Sequence, residues 1–222
     1  MPSMARLIDR IHRLRRRLTR RPDQPNGALL ISSGGLGDSI LFSLVAPDFA
    51  KLAREDEKVT VVVQKASEAV GFLFTDPIEI VSLNYRRFVR NPFYRYRFLD
   101  RIFLSNFRLA ISTDHLRLPT VDDALIAATD APQTFALRPR SWAKHNSMLM
   151  ANRSIYTDWV EPSPGMAHRM VRWTELISAL SDHDIQPAMV RFEEHLIPSP
   201  PSRKGSYVVL HPFSSEPVRT PN

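Results

Sequence analysis

Residues 28–40 contain the side chains of this sequence whose types and spacing are best suited to chemistry. A short apolar run typical of a buried strand leads into a serine-glycine turn, and Asp38 then opens a segment with apolar residues at helical spacing. Gly34, Gly35 and Gly37 remove side-chain bulk, and the first turn of a helix offers unpaired N–H groups to a charged ligand. Because no Lys-Ser/Thr pair follows the glycines, we expect the Asp38 carboxylate to be a reacting group rather than part of a nucleotide cradle.

The elements that would position this turn alternate between β-type apolar runs and helical patterns. Alternation of this kind predicts a Rossmann-like α/β fold, with a mostly parallel sheet and helices on both of its faces. Ligands of such sheets bind beyond the carboxyl ends of the strands, where residues 34–38 would lie. The predicted strands are Ala28–Ser32, Val59–Gln64, Glu79–Leu83, Leu109–Thr113 and Thr134–Leu137. The predicted helices are Asp38–Arg54, Ser67–Phe74, Arg86–Phe103, Val121–Thr129 and Ala167–Ser181.

The composition of the 222 residues is that of a folded protein from a reducing compartment. A hydrophobic content of 43% is enough for a core, and the absence of cysteine excludes disulfides, thiolate metal sites and cysteine nucleophiles. No apolar run reaches the ~18 residues that span a bilayer. The seven histidines have no zinc-type spacing, so we predict neither a metal nor a cofactor.

The net charge of +7 resides in residues 1–22, which hold eight arginines and a single acidic residue, Asp9. Apolar residues recur there at helical spacing, at Leu7, Ile8, Ile11, Leu14 and Leu18. The pattern predicts a basic amphipathic helix on an anionic membrane surface, where each basic residue contributes ~1 kcal/mol.

Three other interpretations of residues 1–22 are open. The segment lacks interleaved aromatic residues and a groove-reading motif, so we do not predict nucleic acid as a partner. A transit peptide would contain more serine. The third interpretation is a helix whose apolar stripe packs on its own domain, with the arginines in solvent.

The glycine turn resembles the opening motif of glycosyltransferase family 9, the ADP-heptose:lipopolysaccharide heptosyltransferases. Gly34–Asp38 has the family's G-x-L-G-D pattern after a strand and before an apolar helix. Four later stretches resemble family segments in the same order: Leu109–His115, Ala124–Leu137, Met166–Ile177 and Tyr207–Pro212.

This resemblance implies a domain organisation. Family members have the GT-B arrangement, in which two Rossmann-like domains face each other across a cleft, and they invert the anomeric centre without a metal ion. The resemblance predicts an acceptor-binding domain over 27–197, which follows the basic helix over 1–22 and precedes a linker over 198–205 that its prolines indicate. Residues 206–222 would be the first strand and loop of a donor-binding domain whose remainder is missing from this sequence.

The resemblance also assigns roles to residues. It makes Asp38 the general base that deprotonates an acceptor hydroxyl, with Gly34, Gly35 and Gly37 leaving space for the acceptor. Basic groups would bind its phosphates and acidic sugars, and the candidates are Arg86, Arg87, Arg90 and His115. On the donor side, the resemblance points to Ser214, Ser215 and Arg219.

Each role has a structural alternative. Asp38 alone fits the cap of a helix, the arginines fit a solvated helix face, and His115 fits a structural histidine. Asp182–Asp184 spells the D-x-D of metal-dependent glycosyltransferases, but after a predicted helix it indicates a helix-ending turn.

Together these features predict transfer of a heptose or related sugar from a nucleotide donor such as ADP-heptose to a lipopolysaccharide core or lipid A acceptor. The protein would be cytoplasmic and peripheral on the inner face of the cytoplasmic membrane. A rival hypothesis is a non-catalytic module that binds membranes or lipopolysaccharide. A second rival is a nucleotide-binding oxidoreductase, but Ile40 stands where its third glycine would fall, and Gln64 ends the second strand where an acid would be expected.

Overall fold

Six parallel strands form the sheet at the centre of the computed structural model, which describes residues 4–21, 24–181 and 185. The strands are β1 (Ala28–Ile31), β2 (Val59–Gln64), β3 (Ile78–Leu83), β4 (Leu109–Ser112), β5 (Gln133–Leu137) and β6 (Asp158–Val160). Their order across the sheet is β3-β2-β1-β4-β5-β6, so the direction of winding reverses between β1 and β4. This is the order of doubly wound Rossmann-like sheets, and it confirms the predicted α/β fold.

Both faces of the sheet are buried, as the four fully buried residues of β1 illustrate. Successive side chains of a strand point to opposite faces. Ala28 and Leu30 therefore join one core cluster, whereas Leu29 and Ile31 join the other. The helices that cover the two faces are α2 (Leu36–Ser43), α3 (Ala46–Ala50), α4 (Tyr85–Arg90), α5 (Pro92–Leu104), α6 (Ala124–Thr129) and α8 (Arg169–Ser181). A short helix, α7 (Asn146–Ala151), lies between β5 and β6.

Two predicted helices are interrupted in the structure. The predicted helix Asp38–Arg54 is divided into α2 and α3, and Pro47 lies in the first turn of α3, where its missing N–H costs nothing. The predicted helix Arg86–Phe103 is divided at Asn91, which has an extended backbone and accepts a hydrogen bond from the Tyr94 N–H. Pro92 then begins α5. The prediction of two uninterrupted helices was therefore wrong.

Two other predicted helices differ in type or length. Lys65–Leu73 is 3₁₀-helical, and a π-helical turn, Pro119–Asp123, precedes α6. The sixth strand, β6, was not predicted. It has three residues and pairs with β5 through Leu137 and Val160.

A helix outside the two layers, α1 (Met4–Leu18), packs on α5 and α6 through its polar face. Asp9 accepts two hydrogen bonds from the buried Arg95 of α5, at 2.6 and 2.7 Å, and Arg15 pairs with Asp100. His12 is 2% exposed, and burial together with the nearby arginines lowers its pKa to about 4. Leu7, Ile11, Leu14 and Leu18 of the predicted stripe are exposed and Ile8 is half-buried, so the interpretation in which the stripe packs on the domain was wrong for four of its five members.

No helix in the described part of the chain is long and apolar enough to cross a membrane.

Candidate active site

Polar residues follow β1 and β4, the two strands between which the winding of the sheet reverses. Asp114, two residues beyond the end of β4, is 2% exposed. Its Oδ2 accepts hydrogen bonds from the N–H of Ser33 at 2.7 Å and from the Ser33 hydroxyl at 2.8 Å. These bonds tie the turn after β1 to the turn after β4. Open α/β sheets bind ligands in the crevice at this position.

Asp38 lies in the first turn of α2, at the same edge of the sheet as Asp114. Gly35 occupies the cap position, and Asp38 is the third helical residue, so it is not the N-cap itself. Its Oδ2 accepts a hydrogen bond from the Gly35 N–H at 3.0 Å, and its side chain is 35% exposed. The capping contact and access to solvent therefore occur together at one carboxylate.

Arg169, the first residue of α8, connects the two carboxylates. Its Nη1 lies 3.2 Å from Oδ2 of Asp38 and 3.1 Å from Oδ1 of Asp114. The guanidinium stands over the ring of Trp173, 5.8 Å from its centroid, and the side chain is 31% exposed. A partly exposed cation thus orients Asp38 and remains accessible to an anionic ligand.

The three glycines of the turn have different surroundings. A Cβ on Gly34 would lie 2.3 Å from the Asp38 Cβ and 2.6 Å from Arg169 Nη1, so only glycine fits there. A Cβ on Gly35 or Gly37 would meet no atom within 4 Å. Gly34 therefore allows the Asp38–Arg169 contact, whereas the backbone at Gly35 and Gly37 borders open space that a ligand can enter.

Ionisable groups lie buried beneath the turn. Burial and the neighbouring Asp114 raise the pKa of the fully buried Asp122 to about 8. Burial also raises the pKa of Asp114, an effect that Arg169 and Ser33 oppose. The pKa of the Tyr85 hydroxyl is likewise raised by burial and by these two carboxyls. Clusters of groups with perturbed pKa values are typical of functional sites.

The predicted acceptor-binding residues lie along this edge of the sheet, at different distances from Asp38. Arg86, Arg87 and Arg90 are exposed on α4, which follows the edge strand β3, and Arg87 stands over the Tyr94 ring at 4.8 Å. Within the described residues, the ion-pair partner of Asp38 is Arg169 and none of these three arginines. His115 directly follows Asp114 and is partly buried, and burial and nearby arginines lower its pKa.

The predicted donor residues Ser214, Ser215 and Arg219 lie outside the described residues, as do 186–222 as a whole and Asp182–Asp184. Among the residues that are described, no three His, Asp or Glu side chains are grouped as a metal site requires.

Asp114, Arg169 and Asp122 were not predicted as site residues. Asp114 and Arg169 fall within stretches that resemble family 9 segments, and the position of Asp114 just beyond a strand could have singled it out. The position of Arg169 carried no comparable signal, since its contact depends on how α8 packs on the sheet.

A groove of about 460 Å³ lies elsewhere, where the basic side of α1 approaches α6 and α7. Arg10 and Arg13 line one side of it, and Ala127 and Met148 line the other. Asp38 does not border this groove.

Comparison with protein-family models, with curated proteins and with solved structures finds no match to this chain.

Proposed function

We propose that this chain is the acceptor-binding half of an inverting glycosyltransferase, with Asp38 as the general base. The observation that carries the proposal is an accessible carboxylate beside open glycine backbone, at the point where the sheet reverses its winding. The order of motifs that resemble family 9 supports the same conclusion. The substrates would be a nucleotide-activated heptose or related sugar and a lipopolysaccharide core acceptor.

The chemistry assigns one proton transfer to Asp38. Its carboxylate takes the proton from an acceptor hydroxyl within hydrogen-bond reach while that oxygen attacks the anomeric carbon of the donor sugar. The new C–O bond forms on the face opposite the leaving group, the bond to the nucleotide diphosphate breaks, and the configuration inverts. The nucleotide diphosphate leaves with the bonding electron pair.

The contacts of Asp38 leave one oxygen available for this step. In the described part of the chain, Oδ2 accepts the Gly35 hydrogen bond and lies 3.2 Å from Arg169 Nη1, whereas Oδ1 accepts no hydrogen bond. Gly35 and Arg169 therefore fix the orientation of the carboxylate without occupying the oxygen that would receive the proton. Arg169 is also placed to bind a phosphate or carboxylate of the acceptor, since a guanidinium can contact more than one oxygen.

The strand order would also suit a dinucleotide-dependent oxidoreductase, but the charges at the site oppose this function. In those domains the pyrophosphate lies at the N-terminus of the helix after β1. Here that position carries Asp38, with Asp114 close behind it. At the end of β2, Gln64 donates a hydrogen bond to the Ser33 carbonyl at 2.9 Å, whereas a ribose-binding acid would be expected.

A transfer assay with Asp38→Asn tests the proposed function. The intact two-domain enzyme, of which this chain would be the acceptor half, would be incubated with labelled ADP-heptose and with lipopolysaccharide core lacking heptose, and transfer would be followed by product mass. Loss of a general base should slow transfer by about 10²–10⁴-fold, while acceptor binding and the urea midpoint remain nearly unchanged.

Asp48→Asn is the matched control, because Asp48 pairs only with the exposed Lys51 within the described residues. It should transfer at the wild-type rate. Full activity of Asp38→Asn would refute the role of Asp38 as base. Tight acceptor binding without any sugar transfer by the wild-type two-domain enzyme would instead favour the non-catalytic binding module.

A further inference from the structure

The outward surface of α1 carries an apolar stripe that nothing in the described structure covers. Its members recur every three or four residues and are 46–89% exposed: Met4, Leu7, Ile11, Leu14 and Leu18. At about 100° per residue they lie within one third of the helix circumference. A row of five large aliphatic side chains in water is costly for a helix that is otherwise docked.

The stripe cannot turn inward while α1 is docked, because side chains on the opposite face of the helix already contact the domain. Asp9 is held by two hydrogen bonds from Arg95, and the Arg16 guanidinium donates to the Ala127 carbonyl. The buried ring of His12 packs edge-on against Tyr96 and Phe103, at 5.9 and 6.0 Å between centroids. These contacts fix the rotation of the helix and hold the stripe in solvent.

A band of exposed cations runs beside the stripe. Arg6, Arg10, Arg13 and Arg17 are exposed, and their helical positions place them together on the sector between the stripe and the docked face. Because Asp9 is engaged with Arg95, no acidic side chain of α1 offsets this band. The helix therefore has three sectors, one docked, one apolar and one cationic.

We propose that α1 binds an anionic lipid bilayer, with the apolar stripe at the headgroup boundary and the four arginines on lipid phosphates. An amphipathic helix with arginines flanking its apolar side is suited to lie in the plane of such an interface. A protein groove would need a hydrophobic trough of matching length and an acidic rim, whereas a bilayer supplies both the apolar and the anionic partner over any length. The proposal does not depend on the sugar-transfer reaction.

Docking of α1 also determines which part of the protein approaches the lipid. Asp9 contacts Arg95 in the first turn of α5. Arg21, beyond the other end of α1, donates to Thr129 and Asp130 at the far end of α6. The helix α1 therefore runs along the domain parallel to α5. Its amino-terminal end therefore lies near α4 and the carboxyl edge of the sheet, the edge that also holds Asp38. A bilayer on the stripe would bring lipid-linked molecules towards that edge.

Vesicle co-sedimentation of the full chain tests the proposal. Wild-type protein should bind vesicles of phosphatidylcholine with about 30% phosphatidylglycerol, bind phosphatidylcholine vesicles at least tenfold more weakly, and be released by salt. The variant Leu7→Gln/Ile11→Gln/Leu14→Gln removes the stripe, and Arg10→Gln/Arg13→Gln/Arg17→Gln removes the cations. Glutamine keeps the helix propensity, so each variant should weaken binding at least tenfold with an unchanged circular dichroism spectrum.

The matched controls change the same number of exposed residues elsewhere. Phe72→Gln/Met150→Gln/Met166→Gln and Arg54→Gln/Lys58→Gln/Lys65→Gln should bind within twofold of wild type. Absence of wild-type binding, or stripe-variant binding equal to wild type, would overturn the proposal. A dimer of the wild-type protein that does not bind vesicles would also overturn the proposal, if sedimentation equilibrium showed that only the stripe variant abolishes this dimer. The stripe would then form the contact with a second copy of the chain.

Discussion

Oδ2 of Asp38 lies 3.2 Å from Nη1 of Arg169, although the two residues are separated by most of the described chain. Asp38 belongs to the first helix after β1, and Arg169 begins the helix that follows β6. The contact requires α8 to return to the face of the sheet that α2 covers, where Trp173 packs at 5.2 Å from the Phe42 ring. The proposed base is therefore oriented by the complete sheet rather than by its own turn alone.

We predict that Gly34→Ala separates this pair. The new methyl group would clash with the Asp38 Cβ, which cannot swing away because it is fixed to the helix backbone. The turn must shift, at a cost of about 1–3 kcal/mol of folding free energy, and the proposed transfer rate should fall about 100-fold as the carboxylate moves. Urea denaturation and the transfer assay measure the two effects.

Gly35→Ala is the matched control for this prediction. Gly35 has a φ of −73°, which any residue adopts, and its Cβ would meet open space. We expect stability equal to or slightly above wild type. Equal stability of the two variants would show that the close approach at Gly34 has no consequence for folding.

The strands were predictable because their burial has a simple signature. Apolar runs such as Val59–Gln64 are buried on both faces, and the alternating helical patterns require parallel crossovers. The three residues of β6 are too few for any periodicity to appear. The breaks at Ser43 and Asn91 depend on local capping and proline chemistry, which apolar spacing alone does not report.

The residues of the candidate site were predictable only where they are neighbours in the sequence. Asp38 and its glycines are adjacent in sequence, so the turn was visible directly. Asp114 becomes a neighbour of Ser33 only because β4 pairs with β1, and Arg169 because α8 packs beside α2. Contacts of this kind depend on strand order and helix packing, and no local pattern of residue types predicts these.

Replacing Asp122 by asparagine should change how stability depends on pH. The folded-state pKa of about 8 lies above the ordinary value of 3.8, so between these values the unfolded chain has released a proton that the folded chain retains. The contribution of Asp122 to wild-type stability should therefore fall as the pH rises from about 4 to about 8. The asparagine side chain cannot ionise, and its amide oxygen can still accept from the Leu118 N–H, so the variant should gain several kcal/mol relative to wild type over this range.

Urea titrations at pH 4, 6 and 8 would measure this difference. Asp56→Asn serves as the control, because Asp56 is exposed and its replacement should leave the pH profile of stability unchanged. A stability difference between Asp122→Asn and wild type that does not grow with pH would contradict the assignment of a buried, protonated carboxyl at Asp122.

The last prediction concerns the attachment of α1. Arg95 is 1% exposed and donates hydrogen bonds to both oxygens of Asp9, while its Nη1 donates to the Thr120 carbonyl at 3.0 Å. Asp9→Asn removes the charge that balances this buried guanidinium, and loss of a buried partner costs about 3–5 kcal/mol, less here because Asp9 is 29% exposed. We expect α1 to detach more often than in wild type.

Trypsin should report this detachment, because the carbonyl contact of Arg16 and the burial of His12 protect α1 only while it is docked. Cleavage after Arg13 to Arg17, followed by mass spectrometry, should be at least tenfold faster in Asp9→Asn than in wild type. Asp48→Asn removes the same charge from an exposed pair and should leave the cleavage rate unchanged. If Asp9→Asn were cleaved no faster, the remaining contacts would suffice to hold α1, and the orientation of its apolar stripe would not depend on Asp9.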